Sequence, residues 1–471
     1  MIEGLKPYAE YKESGQKWLG QVPRQWASFP LCRVATPKSE CGRTDLELLS
    51  VYLHRGVIRY ADSGGQVHKP SLDLSKYQVV APGDFVLNNQ QAWRGSIGVS
   101  KFQGIISPAY VVLKLSPKLN PGYANYLFRS PAMVAQYVAA SRGVGDIQRN
   151  LFYPDLRNSI AIVPPADEQA AIVRFLDHAN RKIDGFIRAK RKLIGLLNEQ
   201  KQAIIHRAVT RGLHPDVSLK PSGIPWIGDV PQHWEISSLN RLMIERIQKN
   251  DPIKTTNILS LSMHDGVVPY AEKTRPGGNK AKSDLTAYKL AHPGDIVVNS
   301  MNVVVGSVGL SKYFGAVSPV YYMLRPRSSS DLVEFFDLIF KDKVFQSSLF
   351  GLGNGIMVIQ SRATGKLNTI RMRIPMTKLG RVCLPHPEPK EQAAIIAVVA
   401  SEIERLSPAI ARTEREIALM QEYRTRLTAD IVTGKLDVRE AAAKLPDLSA
   451  DATAEPVAED SVEEIETEEI P

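Results

Sequence analysis

The chain has 471 residues, 44% of them hydrophobic, a mean hydropathy of −0.16 and a formal net charge of +10. This length and composition predict several globular domains, each able to bury its own core. The sequence has no run of about 18 apolar residues and no apolar segment at its start, so we expect a cytoplasmic protein without a membrane partner. The three cysteines, Cys32, Cys41 and Cys383, form no CxxC pair, which argues against a disulfide framework or a zinc site.

Charge is unevenly distributed along the chain. Residues 445–471 hold ten acidic side chains and no lysine or arginine, so the remainder carries a net charge of about +20. We expect a C-terminal acidic disordered tail over 435–471, because an acidic, aperiodic segment rich in Ala, Pro and Glu cannot bury a core. The basic body suits a polyanion such as nucleic acid, although many basic proteins bind none.

Most of the sequence occurs twice, at an offset of about 210 residues. The matching pairs are SGQKWLGQVPRQW (14–26) with SGIPWIGDVPQHW (222–234), LLSVYLHRGVIRY (48–60) with ILSLSMHDGVVPY (258–270), GSIGVSKFQGIISPAYVVLKL (95–115) with GSVGLSKYFGAVSPVYYMLRP (306–326), and DEQAAIV (167–173) with KEQAAII (390–396). Such a duplication predicts two similar domains, and it suits a two-fold or bipartite partner. Duplex DNA is one such partner.

Each copy begins with a mixed globular part. A Pro-Gly-Asp turn leads into a strand in QVVAPGDFVLN (78–88) and again in AHPGDIVVN (291–299). A short amphipathic helix follows in each copy, within 121–141 and 329–350. We therefore predict a mixed α/β domain at 1–165 and another at 213–387.

A long helix follows each globular part, at 166–212 and at 388–434. A proline precedes an acidic first turn in both, and apolar residues then recur every 3.5 residues on average. The repeating apolar positions are Leu176, Ile183, Leu197 and Ile204 in the first helix, and Ile396, Ile403, Ile410 and Ile417 in the second. Lys190, Thr413 and Arg424 interrupt the series.

The heptads predict an α+β fold with two tandem domains separated by two long helices in an antiparallel coiled coil. Each helix would be about 65 Å long at the usual rise of 1.5 Å per residue. Two equal helices in one chain can pack on each other and hold the domains apart. The alternative, in which each helix packs on its own domain, stays open.

This order of elements resembles the specificity subunit of a Type I restriction-modification system. The resemblance rests on WxGxVPxxW at 18–26 and 226–234, on the PGD strands, on the repeated S-K-x-x-G-x-x-S-P-x-Y segment and on the EQxxI-headed helices. It implies two target recognition domains that read an asymmetric, bipartite double-stranded DNA site across a spacer set by the helices. It also implies docking of two methyltransferase subunits and of restriction subunits. S-adenosylmethionine, ATP and Mg²⁺ would be bound by those partners, and no cofactor by this chain.

Motifs that would give the chain chemistry of its own are weak. SPAY (107–110) and SPVY (318–321) approximate the [DNS]-P-P-[YFW] loop of amino-methyltransferases, but the third position is not proline, and repeated turns explain them better. GLGNG (351–355) follows a helical pattern instead of a strand, which favours a helix-terminating loop over a nucleotide-binding turn. We expect no catalytic and no metal-binding residues. A DNA adenine methyltransferase with degenerate motifs and a coiled-coil adaptor that binds no DNA stay open as alternatives.

Two divergent loops carry the side chains that match base edges: Arg for guanine, Asn or Gln for adenine. The first loop is NNQQAWRG (88–95), with NSMNVVVG (299–306) in the second copy. The second loop is SRGVGDIQRN (141–150), lengthened in the second copy to 351–368. The candidate DNA-binding residues are Asn88, Asn89, Gln90, Gln91, Arg94, Arg142, Gln148, Arg149, Asn299, Asn302, Asn354, Gln360 and Arg362. A solvated loop surface without base contacts is the alternative at each position.

Overall fold

The computed structural model describes residues 5–16, 19–53, 55–63, 70–144, 148–262, 266–273, 284–354, 359–360, 367–368 and 373–446. These residues form two compact units. The first unit contains the described residues up to Arg191 and those from Glu414 onward, and the second contains Lys192–Thr413. Within the described ranges, no helix is both long and apolar enough to cross a membrane. Residues 435–446 of the predicted acidic tail are described, and Val438 and Ala442 are buried among them, so this part is not a disordered tail. The part of the predicted tail from residue 447 onward lies outside the described residues.

In the described part of the first copy, eleven short strands precede the first α-helix, and three short helices and three more strands follow before the long helix. Its strands are β1 (Tyr11–Glu13), β2 (Gln21–Pro23), β3 (Ala27–Pro30), β4 (Ala35–Pro37), β5 (Leu49–Tyr52), β6 (Gly56–Arg59), β7 (Gln78–Val80), β8 (Phe85–Asn88), β9 (Ile97–Val99), β10 (Gly104–Ile106), β11 (Tyr110–Leu115), β12 (Ser141–Val144), β13 (Gln148–Leu151) and β14 (Ile160–Val163). Its helices are α1 (Pro121–Phe128), α2 (Pro131–Ala139), α3 (Tyr153–Leu156) and the long α4 (Ala166–Arg211).

The second copy repeats this order. Its strands are β15 (Leu219–Pro221), β16 (Asp229–Pro231), β17 (Glu235–Ser238), β18 (Met243–Glu245), β19 (Leu259–Ser262), β20 (Gly266–Pro269), β21 (Lys289–Ala291), β22 (Ile296–Asn299), β23 (Val308–Leu310), β24 (Gly315–Val317), β25 (Tyr321–Pro326), β26 (Ile359–Gln360), β27 (Leu367–Asn368) and β28 (Cys383–His386). Its helices are α5 (Leu239–Leu242), α6 (Val333–Lys341), α7 (Lys343–Ser348), α8 (Met376–Leu379), the long α9 (Pro389–Val432) and α10 (Arg439–Ala443).

A four-stranded antiparallel sheet lies at the centre of each unit, in the order β4-β11-β8-β9 in the first and β18-β25-β22-β23 in the second. The register is the same in both, since Val86 pairs with Val112 and the equivalent Val297 pairs with Met323. All four side chains are buried. Continuous apolar runs such as FVLN and IVVN form these strands because helices and other strands cover both faces of the sheet.

Each long helix belongs to both units. The first unit includes residues 166–191 of α4 and 414–432 of α9, and the second includes 192–211 and 389–413. Leu176 of α4 and Leu427 of α9 lie in the core of the first unit, while Val209 of α4 and Val399 of α9 lie in the core of the second. The start of one helix and the end of the other therefore complete each core.

The two helices run antiparallel where they meet within the first unit. Lys190 pairs with Glu416 at 2.6 Å, and Asp184 pairs with Arg424. Residue numbers rise along α4 as they fall along α9. Both earlier interpretations of the helices hold in part, since each helix packs on the domain that precedes it and also on the other helix.

The predicted seam residues are buried to different extents. Leu176 and Ile183 are buried, whereas the other six are half-buried. Of the residues that interrupt the heptads, Lys190 and Arg424 make the two ion pairs, and Thr413 is buried with its hydroxyl donating to the carbonyl of Ala409 at 2.7 Å. Lys190 and Arg424 therefore contribute to the contact between the helices, whereas the hydrogen bond of Thr413 lies within α9.

A fully buried tryptophan joins the two helices in each unit. The indole N–H of Trp26 donates to Glu168 at the start of α4 at 2.8 Å. Just beyond the end of α9, a Cβ added to Gly434 would lie 3.1 Å from the same ring. In the second unit, a Cβ added to Gly212, just after α4, would lie 3.2 Å from the ring of Trp234 and 3.2 Å from the carboxylate of Glu391. Both glycines have positive φ, the left-handed conformation that ends a helix.

Two equivalent glycines give a test of the repeated packing. A Cβ on Gly104 would lie 2.6 Å from Cγ of Leu49, and one on Gly315 would lie 2.5 Å from Cγ of Leu259. We expect Gly104→Ala and Gly315→Ala each to lower the free energy of unfolding by about 1–3 kcal/mol through overpacking, measured by urea denaturation. Gly185→Ala is the control, because α4 leaves open space there and alanine favours a helix by about 0.5–1 kcal/mol. Equal effects at all three sites would contradict this packing.

Candidate nucleic-acid interface

The Pro-Gly-Asp turn fixes the strand that leads to the first candidate loop. Oδ2 of Asp84 accepts from the N–H of Ala81 at 2.8 Å and pairs with Lys38 at 2.9 Å. In the second unit, Asp295 accepts from the N–H of His292 at 2.9 Å and pairs with Arg246 through both carboxylate oxygens. Both aspartates are almost fully buried. This repeated motif therefore has a structural role, closing the turn and holding a cation against it.

The first candidate loop has the same backbone in both copies. The side-chain oxygen of Asn88 accepts from the N–H of Gln90 at 3.0 Å, and that of Asn299 accepts from the N–H of Met301 at 3.0 Å. A short 3-10 turn follows, at Ala92–Arg94 and at Val303–Val305. Asn88 and Asn299 therefore use their oxygens to close the loop, which leaves their amide N–H groups for another partner.

The two candidate loops meet in each unit. The carbonyl of Asn89 accepts from the N–H of Leu151, at the end of the hairpin β12–β13, at 2.8 Å. The carbonyl of Ser300 accepts from the N–H of Ile374 at 2.9 Å. Ile374 follows the longer loop of the second copy. Segments about 60 residues apart in sequence therefore form one surface within the first unit, and the second unit repeats the junction.

Most of the predicted contact residues of the first unit lie at its surface. Gln90, Gln91, Arg94 and Arg142 are exposed, and Asn88, Asn89 and Arg149 are half-buried. Arg142 is engaged within the protein, because Nη2 pairs with Asp155 at 2.7 Å and the guanidinium lies 5.2 Å from the ring of Phe152. Gln148 lies on β13, and its side chain is not among the described groups.

The second unit exposes fewer of its predicted DNA-binding residues at the surface. Asn299 is only 9% exposed, and Asn302 is half-buried. Asn354 is exposed, with its side-chain oxygen accepting from Nζ of Lys378 at 2.7 Å. Gln360 belongs to β26, with its side chain outside the description, and Arg362 lies outside the described residues altogether.

Trp93 was not predicted as a site residue, although it lies between Gln91 and Arg94. Its indole N–H donates to the carbonyl of Gln90 at 2.8 Å. The guanidinium carbons of Arg94 and Arg149 lie 4.6 Å and 5.4 Å from its ring centroid. The only sequence signal was an aromatic residue beside an arginine in a loop that diverges between the copies.

Both SPxY segments are turns, as predicted. The N–H of Tyr110 donates to the carbonyl of Ser107 at 3.1 Å, and that of Tyr321 donates to the carbonyl of Ser318 at 3.0 Å. Burial raises the pKa of both tyrosine hydroxyls above its usual value. Each turn starts one of the two inner strands of its four-stranded sheet, β11 or β25.

Gly351 and Leu352 end the 3-10 turn Leu349–Leu352 that continues α7, and Asn354 then bridges to Arg373. The described part of GLGNG is therefore a helix-terminating loop, as predicted. Across the described residues, no group of three or more His, Cys, Asp or Glu side chains could hold a metal ion.

Comparison with known proteins relates this fold to one kind of assembly. No protein-family model matches the sequence, and no curated protein matches it. Among solved structures, the fold is similar to a chain of a type I R-M system solved to explain its complex assembly and conformational transition. The TM-score is 0.60 at 16% identity, over 87% of this chain and 98% of that one. At this identity the similarity shows a shared fold.

Two further structures are less similar. The HsdS subunit from Thermoanaerobacter tengcongensis has a TM-score of 0.41 at 17% identity, covering 87% of this chain and 96% of its own. The S subunit of the Type-I restriction-modification system from M. genitalium has a TM-score of 0.31 at 13% identity, covering 90% and 97%. These two scores are too low to add to the fold assignment.

The Pro-Gly-Asp turn can be tested in the second unit. Asp295→Ala removes the acceptor of the turn and leaves Arg246, itself mostly buried, without its carboxylate. We expect the free energy of unfolding of the second unit to fall by about 2–4 kcal/mol in urea denaturation. Asp45→Ala is the control, since Asp45 pairs with Arg43 on the open surface and should leave the midpoint unchanged. If both variants lost a similar amount of unfolding free energy, the Pro-Gly-Asp turn would have no special role in stability.

Proposed function

We propose that this chain is the DNA-specificity subunit of a Type I restriction-modification complex. The observation that carries the proposal is the fold shared with a chain of a type I R-M system over 87% of this chain and 98% of that one. The WxGxVPxxW motifs, the duplicated domains and the EQxxI-headed helices are the features that this fold explains.

The proposed ligand is an asymmetric, bipartite site in double-stranded DNA. Each unit has the same turn, sheet and loop junction, which supports one half-site per unit. The loops differ between the copies, since Arg94 of the first corresponds to Val305 of the second. Different loops on one scaffold would read different half-sites. The net charge of about +20 outside residues 445–471 favours the approach of a polyanion.

The proposed partners are two methyltransferase subunits and the restriction subunits of the complex. S-adenosylmethionine, ATP and Mg²⁺ would be bound by those subunits, and this chain would act in the cytoplasm without catalysing a reaction. This division of labour is supported by the SPxY segments, which have Ala109 and Val320 where the methyltransferase loop has its second proline. A methyltransferase with degenerate motifs would instead bind S-adenosylmethionine as the purified chain, and calorimetry would detect this.

Methylation sequencing of host DNA, with and without the gene for this chain, tests the proposal. We expect one bipartite adenine-methylation motif to disappear when the chain is removed and to return when it is restored. An unchanged methylation pattern would contradict the proposal. Binding of DNA that is absent or insensitive to salt would favour a coiled-coil adaptor, because phosphate contacts make affinity fall with salt.

Arg94 and Asn302 form a reciprocal pair for testing the half-sites. We expect Arg94→Ala to reduce discrimination about tenfold in one half-site, because a bidentate contact with guanine is worth about 1–3 kcal/mol. Asn302→Ala should reduce discrimination only in the other half-site. Affinities for duplexes with single base changes in either half measure both effects. Uniform weakening on every sequence would identify phosphate contacts instead.

The helices are expected to set the spacer between the half-sites. Deletion of residues 192–198 from α4 together with 408–414 from α9 removes one heptad from each helix and keeps the apolar positions in step. Seven residues span about 10 Å of helix, or about three base pairs of DNA. The methylation motif should therefore keep both half-sites and lose about three base pairs of spacer.

The matched control replaces the same two segments with other heptads of equal length. It should leave the spacer unchanged. An unchanged spacer in the deletion variant would show that the helices do not set the distance.

A further inference from the structure

We propose that Trp93 holds the guanidinium groups of Arg94 and Arg149 for bidentate recognition of guanine in the half-site read by the first unit. This inference rests on the proposed function and names the base that this unit recognises. Trp93 would act as a positioning residue, while the arginines would contact guanine bases of the half-site.

The geometry brings three side chains from two loops together. Trp93 lies in the 3-10 turn Ala92–Arg94 after β8, and its indole N–H is fixed on the carbonyl of Gln90 at 2.8 Å. Arg94 follows it directly, with its guanidinium carbon 4.6 Å from the ring centroid. Arg149, on β13, has its guanidinium carbon 5.4 Å from the same centroid. The ring of Trp93 therefore lies within cation–π distance of both guanidinium groups.

The backbone also fixes the hairpin that carries Arg149. Leu151, two residues further on, donates its N–H to the carbonyl of Asn89 at 2.8 Å. The hairpin itself pairs Arg142 with Asn150 and Gly143 with Arg149 in antiparallel register. The hydrogen bond to Asn89 ties the hairpin to the loop that carries Trp93, so the backbone brings Arg149 close to the Trp93 ring.

The chemistry of the cluster suits guanine. An arginine beside an aromatic ring loses conformational freedom before binding, while the N–H donors at the edge of its guanidinium can still reach a partner. Guanine presents two adjacent acceptors, N7 and O6, in the major groove, and arginine is the side chain that matches them in bidentate fashion. Restricting the side chain in advance lowers the entropy cost of forming these hydrogen bonds.

Among the described residues of the two candidate loops, Arg142 and the second copy have different surroundings. Arg142 lies on the same hairpin as Arg149, but its guanidinium lies beside Phe152 instead of Trp93 and pairs with Asp155 at 2.7 Å. In the second copy, Val304 and Val305 replace Trp93 and Arg94, and Val304 is buried in the core. The second unit therefore lacks the ring and the cation at this position of the loop, and we expect a different contact there.

The test uses the native complex and its site, as defined by methylation sequencing. Each guanine of the half-site that is affected by Arg94→Ala is replaced in turn by 7-deazaguanine, which lacks the N7 acceptor but still pairs with cytosine. We expect at least one replacement to weaken binding of the unaltered complex about tenfold, and to weaken the Arg94→Ala or Arg149→Ala complex no further. Trp93→Ala should lower the sensitivity to the analogue, and Trp93→Phe should restore most of it.

Arg59→Ala is the matched control, because Arg59 also lies over an aromatic ring, 5.1 Å from that of Phe102, but outside both candidate loops. It should retain full sensitivity to the analogue. The inference is overturned if no guanine of the half-site is sensitive, or if sensitivity persists in both arginine variants.

Two further outcomes separate this inference from the proposed function. If the arginine variants weaken binding to all sequences equally and flatten its salt dependence, the arginines contact phosphates and only the guanine inference fails. If no methylation motif depends on the chain, the proposed function and the inference fail together.

Discussion

The burial of one tryptophan between the start of one long helix and the end of the other is the constraint on which each unit depends. Trp26 meets Glu168 at the start of α4 and Gly434 just beyond α9, and Trp234 lies beside Gly212, just beyond α4. Both rings are fully buried. Since an indole buries some 150–250 Å² of surface, displacing either helix end would expose a large part of the core. One face of the four-stranded sheet in each unit packs in the same core as this tryptophan.

The two junctions satisfy their polar groups differently. Glu168 accepts from Trp26, from Gln25 and from the hydroxyl of Tyr8, whose pKa is raised by burial and by that carboxylate. In the second unit Glu391 instead pairs with His233 at 2.9 Å, and the indole N–H of Trp234 has no partner among the described residues. The duplicated scaffold thus keeps its apolar contacts more strictly than its hydrogen bonds.

The two ion pairs between α4 and α9 fix the alignment of the two helices more than they stabilise the fold. Lys190–Glu416 and Asp184–Arg424 are each about a quarter exposed, where desolvation offsets much of the attraction between the charges. A shift by one residue would separate both pairs and bring apolar side chains opposite charged ones. Polar residues at seam positions select one alignment of a coiled coil in this way.

Local sequence signals predicted the scaffold well. The Pro-Gly-Asp turns, the SPxY turns and the long helices follow from nearby residues, and the helices extend over Ala166–Arg211 and Pro389–Val432 where 166–212 and 388–434 were expected.

The sequence predicted the candidate DNA-binding surface only as two separate loops. Whether Asn299 is buried, or Arg142 is held by Asp155, depends on contacts that the local sequence does not encode. The heptads also could not show that each helix would divide between two cores, because an apolar face does not specify what covers it.

The shared cores also determine the order in which the molecule can be completed during synthesis. The core of the first unit includes Leu427, Ile431, Val432, Val438 and Ala442, although they are translated after every described residue of the second unit. Domains normally complete folding from the N-terminus as the chain emerges from the ribosome. Here every described residue of the second unit has been made once Thr413 has emerged, whereas the first unit lacks part of its core until α10 ends. The half of the protein that is made first is therefore the half that is finished last.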